Sequence, residues 1–319
     1  MISIKHVAFL LSASILSTLF PSCNNSSPNT AQLASKTRAG EDSAQSLYRN
    51  ALAAQQAGKS KRAAKDFRSI FVKYPLSPVA GDSAYRYAKI LEKNGDLLEA
   101  FDAYDSVVTK YPASSHYAEA IKRQETIAHQ VAQGHITSSF IGIKSRIDVS
   151  RTTSMLAKVR DNAPRAASAD KAQFTIGEIQ QSRGSGGTGM ARAISAFRKL
   201  TRDYPDSPFA PEAQFRIGSI LLAQAASGNQ DSANLDRAKR AFEDVIIRYP
   251  NSKQAKAAKK ETSKLASGDI QRSFDVAEFY RKKGQTSSAL FYYRETLRKS
   301  APGPLRSQAQ SWIQQLGGQ

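Results

Sequence analysis

The sequence predicts an all-α fold: a solenoid of about five to six helix-turn-helix pairs, closed by one further C-terminal helix. Three observations carry this. A Tyr-Pro dipeptide recurs at Tyr74-Pro75, Tyr111-Pro112, Tyr204-Pro205 and Tyr249-Pro250, each time with the same kinds of residue around it. Ala, Lys, Arg, Gln, Glu and Leu abound, while β-branched runs are few, a composition that favours helix. Glycine stands five residues before the repeat alanine at Gly58, Gly95 and Gly284, where a turn must join two helices.

Aligned on the tyrosine, the four copies share a pattern. Eleven residues earlier stands alanine (Ala63, Ala100, Ala193, Ala238). Seven earlier stands an aromatic (Phe67, Tyr104, Phe197, Phe242). Four earlier stands an aliphatic (Ile70, Val107, Leu200, Val245), and three later a serine (Ser77, Ser114, Ser207, Ser252). These spacings of four, three and four place one stripe on one face of an α-helix. The alanine admits a neighbouring helix, and the larger residues fill the groove between helices. The proline cannot continue the helix. The serine is expected to cap the next one by accepting a hydrogen bond from its free N–H groups.

The pattern resembles that of the tetratricopeptide family, which places Ala, Phe and Pro as Ala63, Phe67 and Pro75 stand here. Phe174 to Gly177 and Phe215 to Gly218 resemble the bulky-then-glycine signature of that family's first helices. Two further units are degenerate. One pairs a helix at about 115–133 with another at about 150–161, ending at Pro164. The segment between them, 134–149, reads as an insertion loop. The last unit runs from Phe274 through Gly284, then Ala289, Tyr293, Leu297 and Pro302. A closing helix at 305–316 carries Trp312 and is expected to cover the last repeat.

The N-terminus reads as an address. Lys5 and His6 precede a 14-residue apolar to small-residue stretch, Val7 to Phe20, the length of a signal-peptide core and short for a bilayer span. Leu19-Phe20-Pro21-Ser22-Cys23 resembles the lipobox of bacterial lipoproteins, with Phe20 where the family usually has leucine. That resemblance implies cleavage before Cys23 and acylation of its thiol, so Cys23 is the expected lipidation site. The expected organisation is a signal over 1–22, a flexible Ser/Asn/Thr-rich tether over 23–40, N-terminal repeats over 41–133, the insertion over 134–149, and C-terminal repeats with the closing helix over 150–319.

The net charge is +19, spread along the chain without a dense basic block, as expected of solvated helix faces attracted to an anionic surface. No nucleic-acid or small-molecule partner is expected. Gly184 to Gly189 lacks the Lys-Ser/Thr of a phosphate loop and reads as a flexible inter-helix loop, as does 225–234. The four histidines, His6, His116, His129 and His135, form no metal-ligand spacing, and no cofactor is expected. Carboxylates are scattered and no nucleophile–base pair can be proposed, so the chain is not expected to be an enzyme. Most tyrosines fall at repeat-core offsets. Phe291 and Tyr292 are the exceptions: beside Ala289 and Tyr293 they cannot all face one core, and they are candidate partner contacts.

Residues 265–294 resemble the last repeat of the BamD family of outer-membrane assembly lipoproteins, through Val276, Ala277, Tyr280, Gly284 and Ala289. The lipid anchor, the tether and the opening repeat agree with that family. The resemblance implies a lipid-anchored scaffold on the periplasmic face of the outer membrane. It would bind a barrel-forming assembly subunit and unfolded outer-membrane protein segments. Insertions at about 134–149, 182–189 and 225–234 depart from typical members. A periplasmic repeat protein of the Tol–Pal-associated CpoB type shares the repeat, but it normally lacks the anchor and carries a coiled coil absent here. A cell-wall hydrolase would need a catalytic carboxylate in a cleft, which the sequence does not offer.

Overall fold

In a computed structural model, residues 30–140, 143–183, 186–227 and 232–317 are described. They form thirteen α-helices and one short β-hairpin: α1 (Thr30–Gln56), α2 (Ser60–Lys73), α3 (Ala80–Asn94), α4 (Leu97–Lys110), α5 (Tyr117–Gln133), β1 (Thr137–Phe140), β2 (Ile143–Arg146), α6 (Val149–Asn162), α7 (Ala169–Arg183), α8 (Gly186–Asp203), α9 (Ala210–Ser227), α10 (Ser232–Arg248), α11 (Lys253–Lys282), α12 (Thr286–Lys299) and α13 (Pro304–Gln315). Each α-helix packs on the one before it and the one after it, giving six pairs and a closing helix. This is the tetratricopeptide-like solenoid that the repeat pattern predicts.

Two kinds of corner alternate. Within the first, second and last pairs, Gly58, Gly95 and Gly284 take positive φ of 71°, 88° and 73°. The residue after each glycine bonds back five residues into the helix, as Asp96 N to Leu91 O at 2.9 Å, while Gly95 N bonds Glu92 O at 3.0 Å. A left-handed residue closes the helix end and satisfies carbonyls that would otherwise lack partners. Between pairs the Tyr-Pro corner operates. Tyr74 N bonds Ile70 O at 2.7 Å, Ser77 N bonds Tyr74 O at 3.0 Å and Ala80 N bonds Ser77 O at 2.9 Å. The same bonds recur from Tyr111, Tyr204 and Tyr249, and the last two of them recur from Ala163, with Ala166 in the serine place. The third pair therefore keeps the corner with Pro164 but without the tyrosine and serine.

Only one serine caps as expected. Ser252 Oγ accepts from Ala255 N at 3.0 Å, and its backbone is extended (φ −78°, ψ 155°). Ser77, Ser114 and Ser207 instead accept from the N–H two residues on, at 3.4, 3.2 and 3.1 Å. They brace the turn, and the helix begins three residues later.

The structure departs from the expected boundaries in three places. Residues 30–40, expected within the tether, belong to α1, because Ala, Gln, Leu, Lys and Arg dominate that stretch and all favour helix. The insertion is not a loop throughout: β1 and β2 pair antiparallel, with Thr137 opposite Arg146. Its Ile, Thr and Phe residues suit a strand better than a helix. The glycine-rich segment is helical from Gly186 onward, so 186–189 forms the start of α8. Residues 1–29 lie outside the described residues, and with them Cys23 and the signal.

Candidate protein-interaction site

The pairs are held by one recurring contact. In all pairs but the third, the first helix supplies an aromatic and the second helix supplies the aromatic seven residues before the corner. Tyr48 meets Phe67 with ring centroids 6.0 Å apart, Tyr85 meets Tyr104 at 6.0 Å, Phe174 meets Phe197 at 5.6 Å, Phe215 meets Phe242 at 5.3 Å and Phe274 meets Tyr293 at 5.7 Å. Tilted and edge-on pairs of this kind add about 0.5–1.5 kcal/mol to the burial itself. Ala63, Phe67, Ala100, Tyr104, Ala193, Phe197, Ala238, Phe242, Ala289 and Tyr293 are all fully buried.

Three residues after each first-helix aromatic stands a small residue: Ala51, Ala88, Gly177, Gly218 and Ala277. The glycines show why. A methyl group on Gly177 would lie 2.4 Å from Phe197 Cε1, and one on Gly218 would lie 2.7 Å from Phe242 Cε1. The third pair fills the same offsets with Thr152, Leu156 and Val159, all buried. In the last pair the buried residue at the aliphatic offset is Thr296, whereas Leu297 only packs at the edge of that core.

Sequence reasoning passed over Gln173 and Gln214. Both are buried, and each amide donates across its pair to a backbone carbonyl: Gln173 Nε2 to Ala196 O at 2.7 Å, Gln214 Nε2 to Ala241 O at 3.2 Å. The signal was present in the duplicated Ala-Gln-Phe-x-Ile-Gly of α7 and α9. A buried amide needs its partners, so these bonds fix the register of the two helices.

The first three pairs carry a polar network. Asp82 on α3 receives the Tyr48 hydroxyl from α1, Arg86 Nε at 2.6 Å, and lies 2.7 Å from His116 Nε2, which stacks on Tyr85 at 3.9 Å. Burial pushes the Asp82 carboxyl up, but the hydrogen bonds from Tyr48, Arg86 and His116 outweigh it and hold the group below the usual aspartate range. Nearly three turns further along α3, Tyr104 donates to Glu92 at 2.7 Å, and Glu92 pairs with Arg123 of α5. Burial, then Glu92, push the Tyr104 hydroxyl well above its ordinary pKa, so it stays a donor. Asp105 on α4 gathers Lys158 at 2.6 Å, Asn162 at 3.0 Å and Gln124 at 3.1 Å. These contacts tie α1 to α3, α3 to α5, and α4 to α5 and α6, presenting a stiff surface to a partner.

At the other end, four rings run in succession across α11 and α12. Phe279 lies edge-on to Tyr280, Tyr280 stacks on Tyr292 at 5.7 Å and 10°, and Tyr292 meets Phe291 edge-on at 5.2 Å. Phe279 and Phe291 are 55% and 59% exposed, unusual for phenylalanine. Of the two candidate contacts, Phe291 thus faces outward and Tyr292 is half-buried. Phe279 joins them, missed in the sequence because it is a single residue off the helical stripe. Tyr293 turns inward and donates to Glu278, beside which Arg281 lies over the Trp312 ring at 4.0 Å. Among the described residues no three His, Cys, Asp or Glu side chains gather as a metal site would need.

The family model of the outer membrane lipoprotein YfiO matches residues 40–226, more than half of the chain. The chain belongs to the BamD-like outer membrane lipoprotein family. A tetratricopeptide repeat model also matches residues 212–252, the stretch from α9 to the corner after α10. Several solved structures are similar at low identity. The C-terminal part of a tetratricopeptide repeat protein from Cytophaga hutchinsonii is 15% identical, covers 90% of this chain and 95% of its own, and has a TM-score of 0.32. A tetratricopeptide repeat protein from Parabacteroides merdae is 13% identical, with 87% and 100% covered and a TM-score of 0.28. PilF of Pseudomonas aeruginosa is 10% identical, with 86% and 99% covered and a TM-score of 0.28. Similarity at this level bears on neither partner nor activity. No curated protein matches. Among the described residues no helix is long and apolar enough to cross a membrane.

Proposed function

We propose that this protein is a non-catalytic scaffold of outer-membrane β-barrel assembly, held on the periplasmic face of that membrane by lipid on Cys23. The observation that carries the reading is the continuous match of residues 40–226 to the outer membrane lipoprotein family, over repeats whose recurring residues serve packing. In this reading the polar surface of α1, α3 and α5 receives extended segments of unfolded barrel proteins. Their backbone groups need hydrogen-bond partners, and the fixed carboxylates and amides supply them. The aromatic run Phe279, Tyr280, Tyr292 and Phe291 docks a folded domain of a barrel-forming subunit, since exposed aromatics of this kind become interface anchors.

The test is depletion in the native cell. Heat-modifiable, folded barrel proteins should fall in the outer membrane while unfolded forms accumulate in the periplasm. Normal barrel levels together with a defect in envelope constriction would refute the assignment and favour a Tol–Pal-type role.

A further inference from the structure

We propose that the groove between α8 and α10 is a binding site for phosphate groups, of a lipid headgroup or of a free phosphate compound. It encloses about 510 Å³, and five arginines line it: Arg198 and Arg202 from α8, Arg237, Arg240 and Arg248 from α10. Asp244 is the one carboxylate in the lining. It accepts from Gln214 Nε2 at 3.3 Å, the buried amide on the α9 floor of the groove. The carboxylate of Asp203 is engaged by Arg202 at 2.7 Å and by Lys199 at 2.7 Å.

The arginines differ in what they already hold. Arg248 donates to the Thr201 carbonyl at 3.0 Å and Arg237 to Asn234 at 3.3 Å. Arg198 and Arg240 have no ion-pair partner among the described residues. Arg202 is paired with Asp203, and Asp244 alone faces the other four guanidiniums, so the groove keeps an excess of positive charge. An anion of high charge density balances that excess. Arginine is the side chain whose planar fork matches phosphate oxygens two at a time. The lining positions on α10, Arg237, Arg240, Asp244 and Arg248, are spaced three, four and four apart, one stripe facing α8. That stripe runs about 16 Å, enough for more than one phosphate.

The groove is not the generic consequence of a basic chain. The pocket along α2 and α3 is lined by Lys61, Lys65, Arg68 and Lys73, three ammonium groups and one guanidinium, with Asp96 as its carboxylate. The groove between α6 and α8 has Arg160, Arg192 and Lys199 among serines and threonines, and Arg160 is already committed to Asp161 at 2.7 Å. The α8–α10 groove alone of these three is lined by five arginines. Membership of an outer membrane lipoprotein family puts lipid headgroups within reach of it.

The test uses the full chain carrying Cys23→Ser, so that acyl chains do not contribute, in flotation with phosphatidylglycerol and phosphatidylcholine vesicles and in titration with inorganic pyrophosphate. Two variants are compared: Arg198→Gln with Arg240→Gln, and a charge-matched control, Lys256→Gln with Lys259→Gln, on the exposed face of α11. Near an anionic surface each cation contributes about a factor of five, so the arginine pair should weaken phosphatidylglycerol binding about 30-fold. The lysine control should change it less than about threefold, because its charges lie outside the groove. Loss of pyrophosphate binding with unchanged vesicle binding supports the site and assigns it to a free phosphate compound. Equal losses in both variants, or binding of neither probe, overturns it. Binding of a hexaglutamate peptide in place of both phosphate probes also overturns it and gives the groove to a protein partner. Each of these outcomes leaves the assembly-scaffold reading untouched.

Discussion

Replacing Gly177 by alanine tests the inter-helix contact that five of the six pairs share. In an open helical position, glycine to alanine gains about 1 kcal/mol, because glycine loses more chain entropy on folding. Gly268, exposed in the middle of α11 with nothing within 4 Å of an added methyl, is such a position. At Gly177 the methyl would sit 2.4, 2.6 and 2.8 Å from three carbons of Phe197, well inside contact distance. Phe197 is fully buried and tilted against Phe174, so the ring cannot turn away without opening the core. Overpacking of this kind costs about 1–3 kcal/mol and occasionally more. The net expectation is a loss of about 1–2 kcal/mol at Gly177 against a gain of about 1 kcal/mol at Gly268. For a chain of this size that is roughly 1.5–3 °C lost and about 1.5 °C gained in Tm, by calorimetry on otherwise identical proteins. Adding Phe197→Leu to Gly177→Ala should return part of the loss, with a coupling of at least about 1 kcal/mol in the double-mutant cycle. If Gly177→Ala stabilises as much as Gly268→Ala, the ring does not occupy the glycine's face and the repeat packing is wrong.

Three further outcomes follow. Tyr104→Ala removes a buried ring and leaves the Glu92–Arg123 pair without its hydroxyl donor, and it should cost about 3–5 kcal/mol in urea denaturation; a loss below about 1 kcal/mol would contradict the core assignment. Asp82 is held below its ordinary pKa, so its contribution is complete above about pH 4 and is lost as pH falls through the folded value. Asp82→Asn should therefore be less stable than the parent near neutrality and flatter on the acid side; parallel stability curves from pH 6 to 2 would contradict the network. Cys23→Ser should move the protein from the membrane to the soluble fraction, and unchanged sedimentation with membranes would remove the anchor.

Much of this fold was legible because its packing is local and periodic. Ala, aromatic and aliphatic residues at −11, −7 and −4 from Tyr-Pro stand on one stripe, and that stripe is buried in each of the four copies. The closing helix was legible from Trp312 and the apolar residues around it. The third pair was harder, since Thr152, Leu156 and Ala163 replace Ala, aromatic and Tyr, yet Pro164 and two of the corner's backbone hydrogen bonds keep the turn. Composition misled at the glycines of 186–189, where helix-to-helix packing overrides their weak propensity, as Gly189 is buried. Residues 30–40, expected within the tether, are helical because the helix-forming residues after Thr30 extend α1. The arginine groove was illegible because its walls stand about 40 residues apart in sequence. Charge spread along the chain becomes charge concentrated in space only once α8 lies beside α10.

Affinity capture from native membranes, with the tag beyond α13, tests the functional account most directly. The account predicts that a barrel-forming assembly subunit co-purifies in stoichiometric amount, and that Phe291→Glu, which places a charge in the exposed aromatic run, removes it without lowering Tm. Recovery of Tol–Pal components alone, or an undiminished yield of the barrel-forming subunit from the Phe291→Glu protein, would contradict it.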